Sequence, residues 1–377
     1  MNVVIFSLAN LLVGCSFVFL LIHYAKRKLP KPKVSSAHTE GEPATIVICA
    51  RNEAANLQKN LPKILSQKHV CYSVIVVNDR STDETTQVLN GFAQAYPHLQ
   101  VMDVRASEKK TDGKKLLLYK AICSSVGEKI LVTDADCFPA NDLWAHHMLS
   151  HLKSHKKIVL GYSPFVKEKN LLNYFVRFEA TQAAWLYFSM AAKGKAYMGV
   201  GRNMAFYKTD FLQWYQSTPH FTAGGDDDLF VNAVANRTNV ACCLHADSFV
   251  YTEAPKNWRD FFMQKARHVQ AAYYYQAGDQ IFLFFFALAQ FTVLVLPVLL
   301  LLMSVVGFFS SWSAAIFFSA FLMLCWIMLQ TIFSIKAYRQ LQQQDLIKYI
   351  PLLQTIFVFY LTIVFLLSLC KGKKTWN

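Results

Sequence analysis

Acidic residues are scarce in this chain, and charge of either sign is missing from three long stretches. Asp and Glu number 24 against 38 Lys and Arg in 377 residues, a formal charge of +14, while 54% of the chain is hydrophobic. Met1 to Ile22, Gln280 to Ile335 and Ile350 to Cys370 contain no Asp, Glu, Lys or Arg. Runs of about 20 apolar residues are long enough to cross a bilayer, which excludes the ordinary soluble class. No GxxxxGK[ST] loop is present, so P-loop nucleotidase chemistry is excluded. The nine cysteines show no CxxC spacing, and three of them (Cys15, Cys325, Cys370) sit in apolar runs, which reads as small reduced hydrophobes and not as zinc ligands. No period of about 20–50 residues repeats, which excludes a solenoid. Lys and Arg crowd beside the apolar runs without interleaved aromatics, so the positive balance points to lipid head groups and not to nucleic acid.

The first run has no basic start and no small-residue cleavage site before "HYAKRKLPKPK", and it reads as a retained anchor over residues 1–24 with a basic linker, 25–43, after it. Lys26, Arg27, Lys28, Lys31 and Lys33 then place the chain beyond the anchor in the cytoplasm. Residues 280–336 have room for two spans with "GFFSSWS" as the turn, and 337–349 form a cytoplasmic loop. Residues 350–377 either cross the membrane or lie in its interface. A crossing would leave Lys371, Lys373 and Lys374 outside, against the positive-inside rule.

Between these runs, short apolar stretches alternate with amphipathic ones, the pattern of a sheet flanked by helices. "ATIVICA", "YSVIVVND", "LQVMDVRA" and "KILVTDAD" read as strands. "NLQKNLPKILSQ", "STDETTQVLNGFAQAY" and "KKLLLYKAICSSV" read as helices, the second with Ser81 and Glu84 as a capping box. In such doubly wound sheets ligands sit beyond the carboxyl ends of the strands. Polar residues recur there: Arg51, Asn52 and Glu53, then Asn78, Asp79 and Arg80, then Asp134 and Asp136. Any one group could be a turn or a cap. Three groups on one sheet edge describe a polar crevice. Two carboxylates one residue apart repel unless a cation intervenes, and hard oxygen donors suit Mg²⁺ or Mn²⁺, which keep open positions for a substrate diphosphate.

"TIVICARNEAANL", "VIVVNDRSTDET", "DGKK", "LVTDADC", "GRNMAFYK", "GGDDDLFVNAV" and "QKARH" stand in the order and approximate spacing of the family 2 glycosyltransferases, and from Ala44 to His268 the chain resembles them. The resemblance implies an α/β GT-A domain over 44–254, a Rossmann-like mixed sheet that binds a nucleotide-sugar, here with N- and C-terminal transmembrane helices. It implies an inverting, metal-dependent transfer. By similarity, Arg51 and Glu53 lie near the nucleotide, Asp79 bonds the base, and Asp112 and Lys114 sit by the nucleotide and its phosphates. Asp134 and Asp136 match the DxD motif that holds the metal, Asp136 favoured as the direct ligand. The general base falls on Asp226 or Asp227, with Gly225 where the family has Glu. Like charge in "DDD" raises a carboxylate pKa, which suits a base, and a solvated helix start is the bland alternative.

"DFFMQKARHVQAAYYYQ" reads as an amphipathic membrane-surface helix within 255–279, with Phe261, Phe262, Val269 and Tyr273 near one face. Similarity to the QxxRW motif assigns Gln264 and Arg267 to the acceptor or diphosphate. His268 replaces the Trp, which counts against a processive polymer synthase. "NLLNYFVRFEATQAAWLYFSMAAKGK" is either an ordinary buried helix or a surface for a lipid-linked acceptor, and Arg202 and Asn203 either contact acceptor or donor or form a polar turn. The expectation is a glycosyltransferase of the bacterial inner membrane, its catalytic domain cytoplasmic, moving sugar from a nucleotide-sugar, UDP-linked by family expectation, to a membrane-associated or lipid-linked acceptor. A processive synthase and a silent scaffold of the same fold are the alternatives.

Overall fold

Strand runs such as "TIVIC" and "VIVV" do not alternate apolar with polar residues, because a parallel sheet covered on both faces needs apolar side chains on both. The computed structural model describes residues 2–32, 42–104, 113–217, 225–305 and 314–370. They divide into two units, one formed by residues up to 28 together with those from 276 to 370, the other by residues 29–275.

The first unit begins with helix α1 (Asn2–Ala25). The second unit then runs β1 (Ala44–Ala50), α2 (Ala54–Leu65), β2 (Tyr72–Asp79), α3 (Thr85–Ala95), β3 (Leu99–Val104), α4 (Lys114–Ser124) and β4 (Lys129–Asp134). It continues with β5 (Cys137–Pro139), α5 (Trp144–Leu149), β6 (Ile158–Gly161), α6 (Leu171–Ala192), β7 (Met204–Tyr207), α7 (Lys208–Ser217), α8 (Asp226–Val234), β8 (Val240–Cys243), β9 (Val250–Thr252) and α9 (Trp258–Ala272). Seven strands form one sheet in the order β3-β2-β1-β4-β7-β6-β8, while β5 and β9 pair separately. The first four run parallel, and β7 is antiparallel to both β4 and β6. On one face Leu57, Leu61 and Ile64 of α2, spaced at helical intervals, bury against Ile46, Ile48, Val74 and Val76. Each such side chain contributes roughly 1.5–3 kcal/mol when fully buried.

Helix α3 begins later than its sequence signal. Glu84 is the cap residue and its side chain makes no capping bond. Ser81 instead accepts from the Asn52 backbone N–H at 2.9 Å, and Asp83 accepts from the Thr85 N–H at 3.0 Å. The capping box is thus replaced by a loop-to-loop bond and an Asx turn. The strand expected through Asp136 ends at Asp134, because the chain leaves the main sheet there and enters β5. Helix α6 is buried along most of its length, including Arg177 and Glu179, which answers to the buried-helix reading. Phe261 of α9 is buried against Phe175 of α6, with ring centroids 5.9 Å apart, and so is withdrawn from the expected surface face. Trp258 and Met263 remain exposed on α9, and Tyr273 and Tyr274 just after its end.

The first unit resumes with α10 (Ala277–Val305), α11 (Ala314–Gln340), a 3₁₀ turn over Gln344–Tyr349 and α12 (Ile350–Cys370). The residues of the expected "GFFSSWS" turn, and Lys371, Lys373 and Lys374, lie outside the described residues. Among the described residues, four helices are long and apolar enough to cross a membrane. Only a helix satisfies every backbone group internally in hydrocarbon, so charge-free runs of this length fold no other way as single spans. Leu8, Leu11, Phe284, Phe285, Phe321 and Phe359 point outward, exposed. Inward, Gln330 Nε2 of α11 donates to Tyr24 Oη of α1 at 3.3 Å and to Gln354 Oε1 of α12 at 2.5 Å, and Gln354 Nε2 donates to Gln290 Oε1 of α10 at 2.7 Å. This buried chain joins all four helices. Edge-on contact of Tyr24 with Trp326, 4.9 Å between centroids, packs beside it.

Candidate active site

Register brings the polar strand ends together. Ala50 lies opposite Asn78 on one side of β1, and Cys49 opposite Asp134 on the other. Arg51 to Glu53, Asp79 with Arg80, and Asp134 to Asp136 therefore leave the sheet at one edge, where the connection reverses direction and a crevice opens.

Two loops on the β1–β2 side are stitched to each other. Asn52 and Arg80 both take left-handed backbone (φ 56° and 53°). The Asn52 Oδ1 accepts from Thr82 N at 2.8 Å, the Glu53 N–H donates to Thr85 Oγ1 at 2.9 Å and the Ala54 N–H to Asp83 Oδ2 at 3.2 Å. Left-handed non-glycine residues each cost about 1–3 kcal/mol and persist where surrounding bonds hold them. Asp79 is fully buried. Its Oδ1 accepts from Arg80 Nε at 2.7 Å, while Oδ2 has no hydrogen-bond partner. A buried carboxylate oxygen without a donor is costly unless a ligand supplies one.

Next to β1, Lys114 at the start of α4 reaches across to Asp134, its Nζ donating to Oδ1 at 2.5 Å. Burial pushes the Asp134 carboxyl up, but the Lys114 ammonium outweighs it and holds the group below the usual carboxylate range. Asp136, two residues beyond the end of β4, is exposed. Its Oδ1 accepts from Cys137 Sγ at 3.0 Å and its Oδ2 from Thr252 Oγ1 of β9 at 3.2 Å. Asp134 ends one sheet and Asp136 precedes the other, so the two carboxylates escape the pleat and converge.

The donor set fits a hard divalent cation. Carboxylate and thiol atoms of Asp134, Asp136 and Cys137 lie within 4.8 Å of one another. Burial, then Asp136 and Asp134, push the Cys137 thiol well up, so it stays a protonated donor and the oxygens remain as ligands. Glu53, held by burial and by Asp136, Asp134 and Asp83 against a bond from Asn56, has its carboxyl raised as well. The thiol and hydroxyl that donate to Asp136 are both neutral, so a cation held between Asp134 and Asp136 would relieve the repulsion of two close carboxylates.

On the far wall stands α8. Asp227 Oδ2 accepts from the Gly201 backbone N–H at 2.6 Å and Oδ1 from the Asp228 N–H at 2.9 Å. One cleft is lined by Lys114, Thr133, Asp134, Gly201, Met204 and Asp227, so the DxD end and the acidic helix start share it. Asp226 heads α8, but its side chain lies outside the described residues, as does all of Asp112. Gly225 has φ +78°, and a Cβ there would come within 2.9 Å of Ala271 Cβ on α9. Its left-handed backbone and close helix packing account for glycine where the family has Glu.

Arg202 lies with its guanidinium 4.9 Å from the Phe165 ring centroid. Asn203 is not brought to the crevice. It is fully buried, accepting from Trp144 Nε1 at 2.9 Å and donating to the carbonyls of Tyr162 and Ser248, each at 2.8 Å. The contact with acceptor or donor expected of it gives way to a strut, since its amide is saturated by protein. On α9, Gln264 Oε1 is buried with no hydrogen-bond partner, Arg267 and His268 are exposed, and Lys265 pairs with Glu179 of α6 at 2.5 Å. Sequence reasoning missed Gly201, which acts through its backbone, and Thr252, which lies 116 residues from Asp136. No side-chain motif marks the first, and only the β5–β9 pairing reveals the second.

Residues 42–271 match the family described as glycosyltransferase like family 2. The chain belongs to this family. It is 36% identical to the beta-monoglucosyldiacylglycerol synthase of Nostoc sp. over 105 residues, which is 27% of this chain and 22% of that protein. It is 37% identical to the 4,4'-diaponeurosporenoate glycosyltransferase of Staphylococcus aureus over 92 residues, 24% of this chain and 23% of that one. The matched stretches thus span less than a quarter of these relatives' own length. Among solved structures, the mannosyltransferase PcManGT from Pyrobaculum calidifontis, in complex with GDP-Man and Mn²⁺, superposes with a TM-score of 0.58 at 20% identity, covering 97% of this chain and 98% of that one. The likeness is one of fold, a GT-A sheet with apolar helices.

Proposed function

We propose that the chain is an inverting, metal-dependent glycosyltransferase that moves a sugar from a nucleotide-sugar to a lipid-linked or membrane-associated acceptor, with the sheet unit cytoplasmic. The observation that carries the reading is the single cleft in which Lys114 and Asp134 face Asp227. Asp134 and Asp136 would hold Mn²⁺ or Mg²⁺, which when bound neutralises the leaving diphosphate. Lys114 adds a fixed positive charge on the same side, placed before reaction and costing no reorganisation. Asp227, or Asp226 beside it, takes the acceptor hydroxyl's proton from the opposite face of the sugar. The two backbone N–H groups on Asp227 fix its carboxylate in place, as a base on a helix start requires. Arg51, Glu53 and Asp112 flank the nucleotide, and Arg202, Gln264 and Arg267 flank the diphosphate or acceptor.

Asp79 supports a uracil base. With Oδ1 bonded to Arg80, its buried Oδ2 suits a base edge offering one N–H. The paired donors of guanine would compete with Arg80 for Oδ1. The four apolar helices with their outward Leu and Phe side chains, the exposed Trp258 of α9 and Tyr273 just after it, and relatives named beta-monoglucosyldiacylglycerol synthase and 4,4'-diaponeurosporenoate glycosyltransferase support a lipid acceptor in a bacterial inner membrane.

The test is nucleotide release by the full chain in detergent with lipid, across a panel of UDP- and GDP-sugars with Mn²⁺ or Mg²⁺. Release from one donor, abolished by chelator and by Asp136→Asn, is expected. Silence with every donor, together with no metal-dependent nucleotide binding, would overturn the reading in favour of a scaffold.

A further inference from the structure

At the other end of the sheet from β3, a second cluster of metal-ligating side chains has no part in the cleft. His147 of α5 is 5% exposed, and neither ring nitrogen has a hydrogen-bond partner. Two buried, polar, unbonded nitrogens on one ring are an unusual debt for a folded interior. Facing them are His245 and Asp247, just beyond the outermost strand, β8. The His147 and His245 rings stack with centroids 4.3 Å apart, His147 Nε2 lies 3.8 Å from Asp247 Oδ2, and His245 Nδ1 lies 3.5 Å from the same oxygen. One ligand atom from each of the three lies within 4.8 Å of the others.

We propose that His147, His245 and Asp247 form a binding site for a divalent transition-metal ion of the Zn²⁺ class, separate from the DxD site. A tetrahedral ion with bonds of about 2.0–2.1 Å places its ligand atoms about 3.3–3.4 Å apart, so the two separations to Asp247 need closing by only a few tenths of an ångström, and the ion would take from His245 Nδ1 the long 3.3 Å bond it accepts from the Asp247 N–H. Two imidazoles and one carboxylate select a borderline ion over Mg²⁺ or Mn²⁺, which prefer all-oxygen shells. Side chains of His245 and Asp247 are 27% and 36% exposed, which leaves an entry path and room for water as the remaining ligand. Cys243 stays out of the ligand set: its Sγ faces the His147 carbonyl at 3.6 Å.

The placement gives such an ion a mechanical role. The β8–β9 connection that carries His245 and Asp247 leads directly into β9, whose Thr252 bonds Asp136, and α5 comes directly after β5, the partner of β9. An ion there ties together the two segments that orient the DxD aspartate.

The experiment uses the full chain in detergent, in an Asp134→Asn/Asp136→Asn background so that the first site cannot contribute, with Zn²⁺ as the probe and bound metal counted after gel filtration. About one retained Zn²⁺ per chain is expected, with affinity lowered about 10–100-fold or more by His245→Asn and by Asp247→Asn. Both residues are partly exposed, so these variants fold where His147→Ala could fail. Cooperative thermal unfolding, with a midpoint raised by Zn²⁺ in the background protein and not in the variants, supplies a second readout. No retained Zn²⁺, or retention indifferent to both substitutions, would overturn the proposal.

Discussion

Buried polar side chains mean opposite things in the two units. In the helical unit, Gln290, Gln330, Gln354 and Tyr24 are almost wholly buried and bond to one another. In the sheet unit, buried or converging groups are left with valences to spare: Asp79 Oδ2, Gln264 Oε1, both nitrogens of His147 and the carboxylate of Asp136. A polar group that lies in hydrocarbon has no solvent to fall back on, so each of these four side chains is held by at least one bond to a neighbouring helix. A polar group at a strand end can wait for a ligand, because the crevice admits water meanwhile. Spare capacity gathered at the strand ends therefore marks sites in the sheet unit, whereas in the helical unit, where Gln330 Oε1 and Trp326 Nε1 are also left without partners, it is the amide chain from helix to helix that acts as glue.

The sharpest way to break this comparison is to remove a spare valence and find the enzyme indifferent. Asp227→Asn is expected to lower turnover by about 10²–10⁴, the usual worth of a positioned base, with the unfolding midpoint little changed. Paired measurement of Asp226→Asn decides between neighbours: if it takes the loss and Asp227→Asn does not, the role of base moves one residue. Asp136→Asn comes next at about 10²–10³, by analogy with the removal of one preorganised electrostatic group. Its signature is that added Mn²⁺ no longer raises the thermal midpoint of the nucleotide-bound protein. Full activity in Asp136→Asn would detach the DxD pair from the chemistry.

Much of the sheet was legible in the sequence because period and turn chemistry are local. "ATIVICA" and "YSVIVVND" coincide with β1 and β2 to the residue, and the four apolar helices are implied by absence of charge alone. The features that were not legible depend on distant partners. The capping box at Ser81 had the right residues, but Asn52 lies close in space and takes the serine oxygen. Asn203 sat in a family motif beside Arg202, and only the fold shows Trp144, Tyr162 and Ser248 meeting on its amide. Gly225 read as a missing Glu until its left-handed backbone and the proximity of Ala271 came into view. The His147 cluster is invisible in the sequence because His147 lies nearly 100 residues from His245 and Asp247, whose two-residue spacing alone flags nothing.

Asn203, like Gln67, is a buried amide of the sheet unit whose oxygen and nitrogen are both bonded by protein, in contrast to the groups at the strand ends. Asn203→Ala orphans the Trp144 indole N–H, removes the Asn203 bond to the Ser248 carbonyl and leaves the Tyr162 carbonyl with the Val250 N–H alone, and a loss of about 3 kcal/mol in stability is expected. Denaturant or thermal unfolding measures it. Protein that remains folded should keep its KM for the donor, since the side chain touches no substrate. A variant with unchanged stability and a raised KM would return Asn203 to the binding surface.

The smallest effect is expected where the amide chemistry is the same and the solvent differs. Gln354 accepts from Gln330 and donates to Gln290, so Gln354→Leu removes two hydrogen bonds and leaves two buried partners. Counted as in water, with each orphan at about 1–3 kcal/mol, that would rival Asn203→Ala. Helices separated within a bilayer, however, find other partners for the freed amides, and side-chain bonds between spans average about 0.6 kcal/mol. We expect Gln354→Leu to lower the stability of the helical unit in lipid by about 1 kcal/mol, read by reversible unfolding in mixed micelles, with donor turnover unchanged. A loss equal to that of Asn203→Ala would mean that saturation itself, and not the surrounding solvent, sets the worth of these bonds. A gain in stability would mean that the glutamine chain selects which helices pack together at the expense of how tightly they do so.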